Sequence, residues 1–425
     1  MSEPRTAACP IADGSSIDAA EVRRRAQELA PRTVELYRWL HRHPELSFQE
    51  HDTARFIIQT LKAIDGVEQV ESPTPTSVRA AIRGGSSPEG GGAAEGGLDS
   101  CVIALRADID ALAIDEQTGL EHASERPGVM HACGHDGHVA ILLSVAQLLA
   151  GLRTNFAGEV RLLFEHAEEQ PPGGAREFVA VGAMEGVDAV VGLHLNAQMP
   201  TGSIAASSGV VLASGDMFTI RVEGAGGHGA YPHETVDPVA IGAQIVTNLQ
   251  HITSRTVDPM ASAVVSVTRF LADSPRNVIP SSVELAGTIR ALDADVRTAV
   301  LQRLERIATG VAVAHGAAVE VAIQEGYPVL VNDLRVTEVV RAAVAAGYSD
   351  CALVEQLPEM AIDDFSVLAS EAPGCYFFVG AGDPVWERSF PHHHARFRID
   401  EQSLPIGVAV LSHVALALLN DKADR

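Results

Sequence analysis

The sequence predicts an α/β protein. Its large domain has a mostly parallel sheet flanked by helices, and a smaller ferredoxin-like α+β domain is inserted into it. Three observations carry this expectation. Apolar, β-branched runs alternate with segments of helical period on both sides of the middle of the chain, the texture of strands joined by crossover helices. Between residues 209 and 327 the order becomes β-α-β-β-α-β, the split βαβ pattern. The chain has 425 residues, more than one compact core holds, so two domains are expected. The division is 16–208 and 328–425 for the large domain and 209–327 for the small one.

The first elements are two helices. Val34, Leu36, Tyr37 and Leu40 recur at helical spacing, as do Phe56, Ile57, Leu61 and Ile64. Pro44 ends the first helix, and the stretch His41-Arg42-His43-Pro44-Glu45 reads as a turn between helices rather than a set of ligands. Strands follow at Ser77–Ile82 and Val102–Ala107, separated by a Gly/Ser insertion, Gly84 to Gly97, with no apolar residue to bury. No Lys-Ser/Thr follows those glycines, so they are not a phosphate loop.

The second of these strands runs into Arg106-Ala107-Asp108-Ile109-Asp110. Carboxylates at the C-terminal end of a strand sit where open α/β sheets place their sites. Asp110 is a candidate to orient a catalytic group, the alternative being a cap or turn residue. Next comes Met130-His131-Ala132-Cys133-Gly134-His135-Asp136-Gly137-His138, followed by an apolar helix from Val139 to Leu149. Cys133 and His135 are two apart, so a turned loop can aim a thiolate and an imidazole at one point, a site for a borderline-soft divalent cation. The alternative is a polar loop with several histidines.

Glu159–Phe164 reads as a buried strand ending in Glu165-His166-Ala167-Glu168-Glu169, and Ala189–Leu193 as another with His194 at its end. Adjacent carboxylates on an open surface are merely solvated. Beside a metal they can divide the work, one as ligand and one as general base.

In the inserted segment, strands are expected at 218–222, 263–268, 283–290 and 318–323, with helices at 238–254 and 293–315. The turn Gly224-Ala225-Gly226-Gly227-His228-Gly229 lacks the spacing and the acidic partner of a dinucleotide fingerprint. After Tyr327 a helix spans Leu334–Ala346, another opens at Asp363-Asp364-Phe365, and Cys375–Gly380 is a buried strand. The run His392-His393-His394 precedes a last helix, Leu404–Leu418.

Composition narrows the classes. The net charge is -24, which argues against nucleic acid or an anionic membrane as partner. The N-terminus lacks the charged start and apolar core of a signal peptide, and no apolar stretch reads as long enough to cross a bilayer. Five cysteines, widely spaced, make a disulfide framework unexpected and fit a reducing cytoplasm.

These residues carry a resemblance. The chain resembles the M20 family of metallo-aminoacylases and peptidases, in its amidohydrolase branch. The matching stretches are Arg106 to Leu112, His131-Ala132-Cys133-Gly134-His135-Asp136, Ala167-Glu168-Glu169, Gly192-Leu193-His194, Gly226 to His233, Asn277-Val278-Ile279-Pro280, Gly287-Thr288-Ile289-Arg290 and Phe397-Arg398-Ile399-Asp400-Glu401.

The resemblance implies a zinc-exopeptidase-like catalytic domain with a lid that often dimerises. It implies two divalent metal ions (Zn, Mn, Co or Ni) on Cys133, His135, Glu169, His194 and His393, the His four residues before Phe397. Glu168 corresponds to the general base. His228 corresponds to a lid residue that reaches the partner subunit's site, and Asn277 and Arg290 to substrate-binding positions. The implied activity is hydrolysis of N-acyl-amino acids by a homodimer or homotetramer, a dipeptidase or carboxypeptidase being the first alternative and a non-catalytic binding protein on this scaffold the second. Glu165 and His166 stand where the family has Gln-Pro, Asp363 where it has Glu, and Ala113 where it has Pro.

Overall fold

The computed structural model describes residues 18–85, 101–348, 350–386 and 388–423. Most of the Gly/Ser insertion, from residue 86 onward, lies outside them, as do Cys9 and residues 16–17.

The large unit begins with helices α1 (Ala19–Arg42) and α2 (His51–Lys62), and Pro44 stands in the turn between them. Strands β1 (Glu68–Glu71), β2 (Val78–Arg83) and β3 (Val102–Asp108) lead to α3 (His135–Ala150). Then come β4 (Glu159–Glu165), α4 (Gly174–Ala180), β5 (Ala189–Pro200), β6 (Ser203–Ala205) and β7 (Gly209–Leu212).

The small unit comprises β8 (Ser214–Glu223), β9 (Gly227–His228), α5 (Pro238–His251), β10 (Ala263–Leu271), β11 (Val278–Ile279), β12 (Ser282–Ala291), α6 (Ala294–Ala314) and β13 (Ala318–Tyr327). The chain then returns through β14 (Leu330–Asn332), α7 (Leu334–Gly347), β15 (Ala352–Val354), α8 (Phe365–Glu371), β16 (Gly374–Gly382) and α9 (Ser403–Ala423).

Eight strands form the large sheet in the order β1-β2-β4-β3-β5-β16-β6-β15. The central four, β4-β3-β5-β16, are parallel; β1, β2 and β6 join antiparallel. All four central strands therefore end on one edge, where the candidate residues gather. Helices cover both faces, as a parallel sheet requires. One apolar core holds α1, α3, α7 and α9 against the sheet, and a second, with Phe178, Phe365 and Tyr376, holds α4 and α8. Aspartates start four helices by accepting backbone N–H bonds: Asp18, Asp237, Asp293 and Asp333.

The small sheet runs β10-β12-β8-β13, all antiparallel, with α5 and α6 packed on one face around Ile220, Ile245, Leu285 and Leu304. That is the ferredoxin-like order the sequence predicted.

Three expectations need correction. Helix α3 begins at His135, not near Val139, because Gly134 adopts a left-handed conformation (φ 94°) and turns the chain straight into the helix. His194 lies inside β5 rather than at its end: β5 leaves β3 after Gly192 but continues beside β16 to Pro200. The segment Ser403–Asp421 of α9 is long and apolar enough by composition to cross a membrane, with mean hydropathy 1.7. Most of it (72%) is buried inside the protein, which accounts for its apolarity.

Candidate metal centre

The site starts from the backbone of two loops. The left-handed Gly134 places Cys133 just before α3 and His135 on its first turn. The histidine run docks on the same loop, where His393 N–H donates to Ala132 O at 2.8 Å. Residues 130–135 and 391–394, far apart in sequence, thus share one corner at the strand ends.

The side chains converge there. Cys133 Sγ lies 3.5 Å from His194 Nε2 and 3.7 Å from His392 Nδ1. Glu169 Oε1 is 3.2 Å from His393 Nε2 and 3.9 Å from His135 Nε2, and Glu168 Oε2 is 4.0 Å from the same nitrogen. Three donor triads, each with atoms within 4.8 Å of one another, overlap in this corner: Cys133–His194–His392, Cys133–Glu169–His393 and His135–Glu168–Glu169. His394 is occupied in its own turn, where Nδ1 accepts Arg396 N–H.

Buried carboxylates behind these donors fix their orientation. Asp110 accepts from Ser47 Oγ at 2.7 Å and from Glu169 N–H at 3.0 Å, and stands 3.2 Å from His135 Nδ1, which also faces Asp110 O at 3.0 Å. With Nδ1–H engaged, Nε2 carries the lone pair, and it is buried with no hydrogen-bond partner among the described residues. Asp110, the candidate orienter in the sequence, thus contacts both His135 Nδ1 and Glu169 N–H. His138 looks like a fourth imidazole but is spoken for: Nδ1 bonds Asp108 at 2.6 Å and Nε2 accepts Leu195 N–H at 2.9 Å.

Beneath the corner lies Arg106, fully buried. It donates to Glu165 (2.6 Å), Asp108 (2.6 Å) and Asp364 (2.9 Å), and Asp363 is 3.2 Å away. Asp363 also accepts from Tyr376 Oη at 2.6 Å.

The electrostatics describe a site that needs positive charge. Burial and the carboxylates of Glu169 and Glu168 push the Cys133 thiol well up. Burial, Asp363 and Glu169 push Glu168 well above the usual carboxylate range. Burial opposes charge on His135, but Asp108, Asp110 and Glu169 outweigh it and raise it to about 10. Burial, then His138, holds His194 well down and His392 at about 4, so both imidazoles are neutral donors. One thiol, several imidazoles and the Glu169 carboxylate around one point fit divalent cations with mixed S, N and O preference. Such cations would reverse the upward shifts.

The corner opens into a cavity of about 600 Å³. Leu212, Met217, Ile362, Tyr376 and Phe378 give it apolar walls, and Arg290 from β12 is the one guanidinium among the described residues lining it. Among the described residues that guanidinium bonds its neighbour's carbonyl alone, Ile289 O, at 3.1 Å. His228 and Asn277 lie elsewhere. Both are exposed, His228 in β9 and Asn277 just before β11, where Gly229 N–H donates to Asn277 O, and neither lines the cavity. Sequence reasoning missed Arg106 and Ser47 beside the site. A lone arginine inside an otherwise apolar strand was the available signal for Arg106; nothing local marked Ser47.

The chain is similar to known hydrolases over nearly its whole length. It is 47% identical over 312 residues to an N-acyl-L-amino acid amidohydrolase of Geobacillus stearothermophilus, covering 73% of this chain and 81% of that one. It is 38% identical to thermostable carboxypeptidase 1 of Saccharolobus solfataricus, covering 92% and 96%. A solved Bacillus subtilis structure described as a dinuclear metal binding peptidase from the M20 family superposes with TM-score 0.78 at 33% identity, covering 93% and 99%. Residues 104–417 match the family model of peptidase family M20/M25/M40. With that match and these geometries together, the chain belongs to peptidase family M20/M25/M40 and is a hydrolase.

Proposed function

We propose that this hydrolase cleaves the amide bond of N-acyl-amino acids, with two divalent cations and Glu168 as general base. The observation that carries the reading is one cavity lined by Cys133, Glu169, His194 and His393 of the overlapping donor triads, by the Glu168 carboxyl, and by a guanidinium with no carboxylate partner among the described residues. Cys133, His135, Glu169, His194 and His393 would hold the cations, which supply the charge that polarises the amide carbonyl and acidifies the attacking water. The donor set suits Zn, Mn, Co or Ni.

The chain's own residues do the rest. Glu168 takes the proton of the water and delivers it to the leaving amine. Asp110 keeps His135 in one tautomer. Arg290 receives the free carboxylate of the substrate, a role a planar guanidinium performs bidentately. The apolar walls favour apolar side chains or acyl groups over charged ones. His228 and Asn277 would come from a second copy, making the working form a homodimer or homotetramer. A reduced thiol at Cys133 fits a reducing cytoplasm, and the charge of -24 fits small-molecule substrates better than nucleic acid or membrane.

Similarity to a carboxypeptidase keeps a second reading in view, since a C-terminal carboxylate would suit Arg290 equally well. The test is release of amino acid from a panel of acetyl-, benzoyl- and dipeptidyl-substrates by metal-reconstituted protein. Turnover of acyl-amino acids, fastest with apolar ones, is expected. Cleavage of peptides alone would replace the first reading by the second.

A further inference from the structure

Glu50 is fully buried at the start of α2, yet its carboxylate does not cap that helix. Glu45 takes the capping work instead: its Oε2 accepts both Thr53 N–H, at 2.8 Å, and Thr53 Oγ1, at 2.9 Å. Glu50 Oε1 turns the other way. It accepts Phe48 N–H at 3.0 Å and, 117 residues along the chain, Ala167 N–H at 2.8 Å.

Both residues have positive φ, 65° for Phe48 and 55° for Ala167. A non-glycine residue pays about 1 kcal/mol for that conformation and holds it only when its surroundings fix it. Among the described residues, four non-glycines have positive φ; two share this one oxygen and a third is His393. Ala167 directly precedes Glu168, so its φ sets the direction in which the Glu168–Glu169 pair leaves β4.

The same turn holds the pair at two more points. Phe48 packs its ring edge-on against His166, with centroids 5.7 Å apart. Ser47 bonds Asp110, and Asp110 in turn holds Glu169 N–H. Tyr327 Oη closes the frame from the other side by donating to Glu168 O at 3.1 Å.

We propose that Glu50, carried on the turn between α1 and α2, is a positioning residue for Glu168: it holds Ala167 in its left-handed conformation and so aims the base. The inference rests on the reading of Glu168 as general base. Removing the carboxylate leaves a buried Ala167 N–H without a partner and an unfavourable φ with nothing to fix it, so the segment relaxes and the base moves.

The experiment compares Glu50→Ala, Glu50→Asp and Glu50→Gln with the unaltered metal-loaded enzyme. Glutamine keeps an acceptor oxygen at the same reach, and its amide stays beside the Thr76 side chain that also bonds the carboxylate. Aspartate keeps the charge but falls one methylene short. In Glu50→Ala and Glu50→Asp, kcat should fall on the order of 100-fold while KM stays within about 3-fold. Glu50→Gln should restore kcat to within about 3-fold. Metal content by elemental analysis should be unchanged in all three. Amide hydrogen exchange at Ala167 should be slow in the unaltered protein and in Glu50→Gln, and fast in the other two.

If Glu50→Ala does not fold, Glu50→Asp against Glu50→Gln carries the comparison. Full kcat in Glu50→Asp, or glutamine failing as aspartate does, overturns the proposal. The base reading is judged separately: a Glu168→Gln enzyme that still turns over would overturn that reading.

Discussion

Glu168 and Glu169 are neighbours in sequence but face different company. Glu169 meets His393 and the Cys133 thiol, whereas Glu168 meets the buried acids Asp363 and Asp364. Glu168→Gln should therefore keep its metal and lose on the order of 100-fold or more in kcat, the loss expected of a missing base. Glu169→Gln and Cys133→Ala should lose metal first and activity with it. Elemental analysis separates the two outcomes, and equal metal loss in Glu168→Gln and Glu169→Gln would end the division of labour. A residue outside the chemistry sets a pH dependence. His41 Nδ1 lies 2.6 Å from Asp136 and Nε2 3.3 Å from Glu116. Burial opposes its charge, but the two carboxylates win and raise it to about 9. Its folded value lies above its unfolded one, so the stability it contributes is complete below about pH 6.5 and lost as pH rises through about 9. The contribution is on the order of 3 kcal/mol. Thermal unfolding should fall more steeply between those pH values in the unaltered protein than in His41→Gln; parallel curves would contradict this. The sequence offered His41 only as part of an inter-helix turn. Its partner Asp136 is 95 residues away, and no local pattern reveals such a pair.

Elements were legible where their apolar period was long and their ends were marked. Helices α5, α6 and α7 start at the Asp caps, and the long strands of both sheets follow their β-branched runs. Short strands such as β6, β7 and β15, of three or four residues, carry no such period and exist because the neighbouring strands offer them unpaired edges. The extent of β5 was misjudged for a related reason. Its second half, Leu195 to Pro200, owes its conformation to pairing with β16 rather than to its own propensity. Where helix α3 starts is the one boundary that matters to the chemistry, and Gly134 sets it. At φ 94° an alanine is strained, although the space around its added carbon is ordinary, the nearest atom being Phe397 Cζ at 3.6 Å. Gly134→Ala should thus cost about 1–2 kcal/mol through the backbone alone. It should also weaken metal binding, because Cys133 and His135 flank the turn that would relax. A variant with unchanged metal affinity and lowered melting temperature would show that the turn serves the fold and not the site.

At the scale of the whole molecule the cavity is closed on one side by the large unit and on the other by β8, β12 and β13 of the small one, through Gly215, Arg290 and Tyr327. Asp216, which also lines the cavity, is fixed within the small unit by accepting from Arg297 Nε and Nη2, at 2.8 and 2.6 Å, and from Gly326 N–H at 3.1 Å. The small unit thus brings one of its three candidate residues, Arg290, to the cavity and leaves His228 and Asn277 outside, on and beside a separate ladder. Two routes could bring His228 to a site: closure of its own lid, or a neighbouring copy. The first would have to move His228 and Asn277 together, because Gly229, next to His228, donates its N–H to Asn277 O, while Arg290 already lines the cavity. The second needs only a two-fold partner, and β10 offers an edge strand with Val264, Phe270 and Leu271 exposed. The routes separate when two inactive variants, His228→Ala and Glu168→Gln, are mixed under conditions of subunit exchange. If His228 acts across a dimer, a mixed dimer contains one site with both residues intact. Activity should then reappear, approaching one quarter of the unaltered value at equal mixing by random pairing, about 25%. If His228 serves its own chain, every site in the mixture lacks one of the two groups, and no activity returns however completely the heterodimers form.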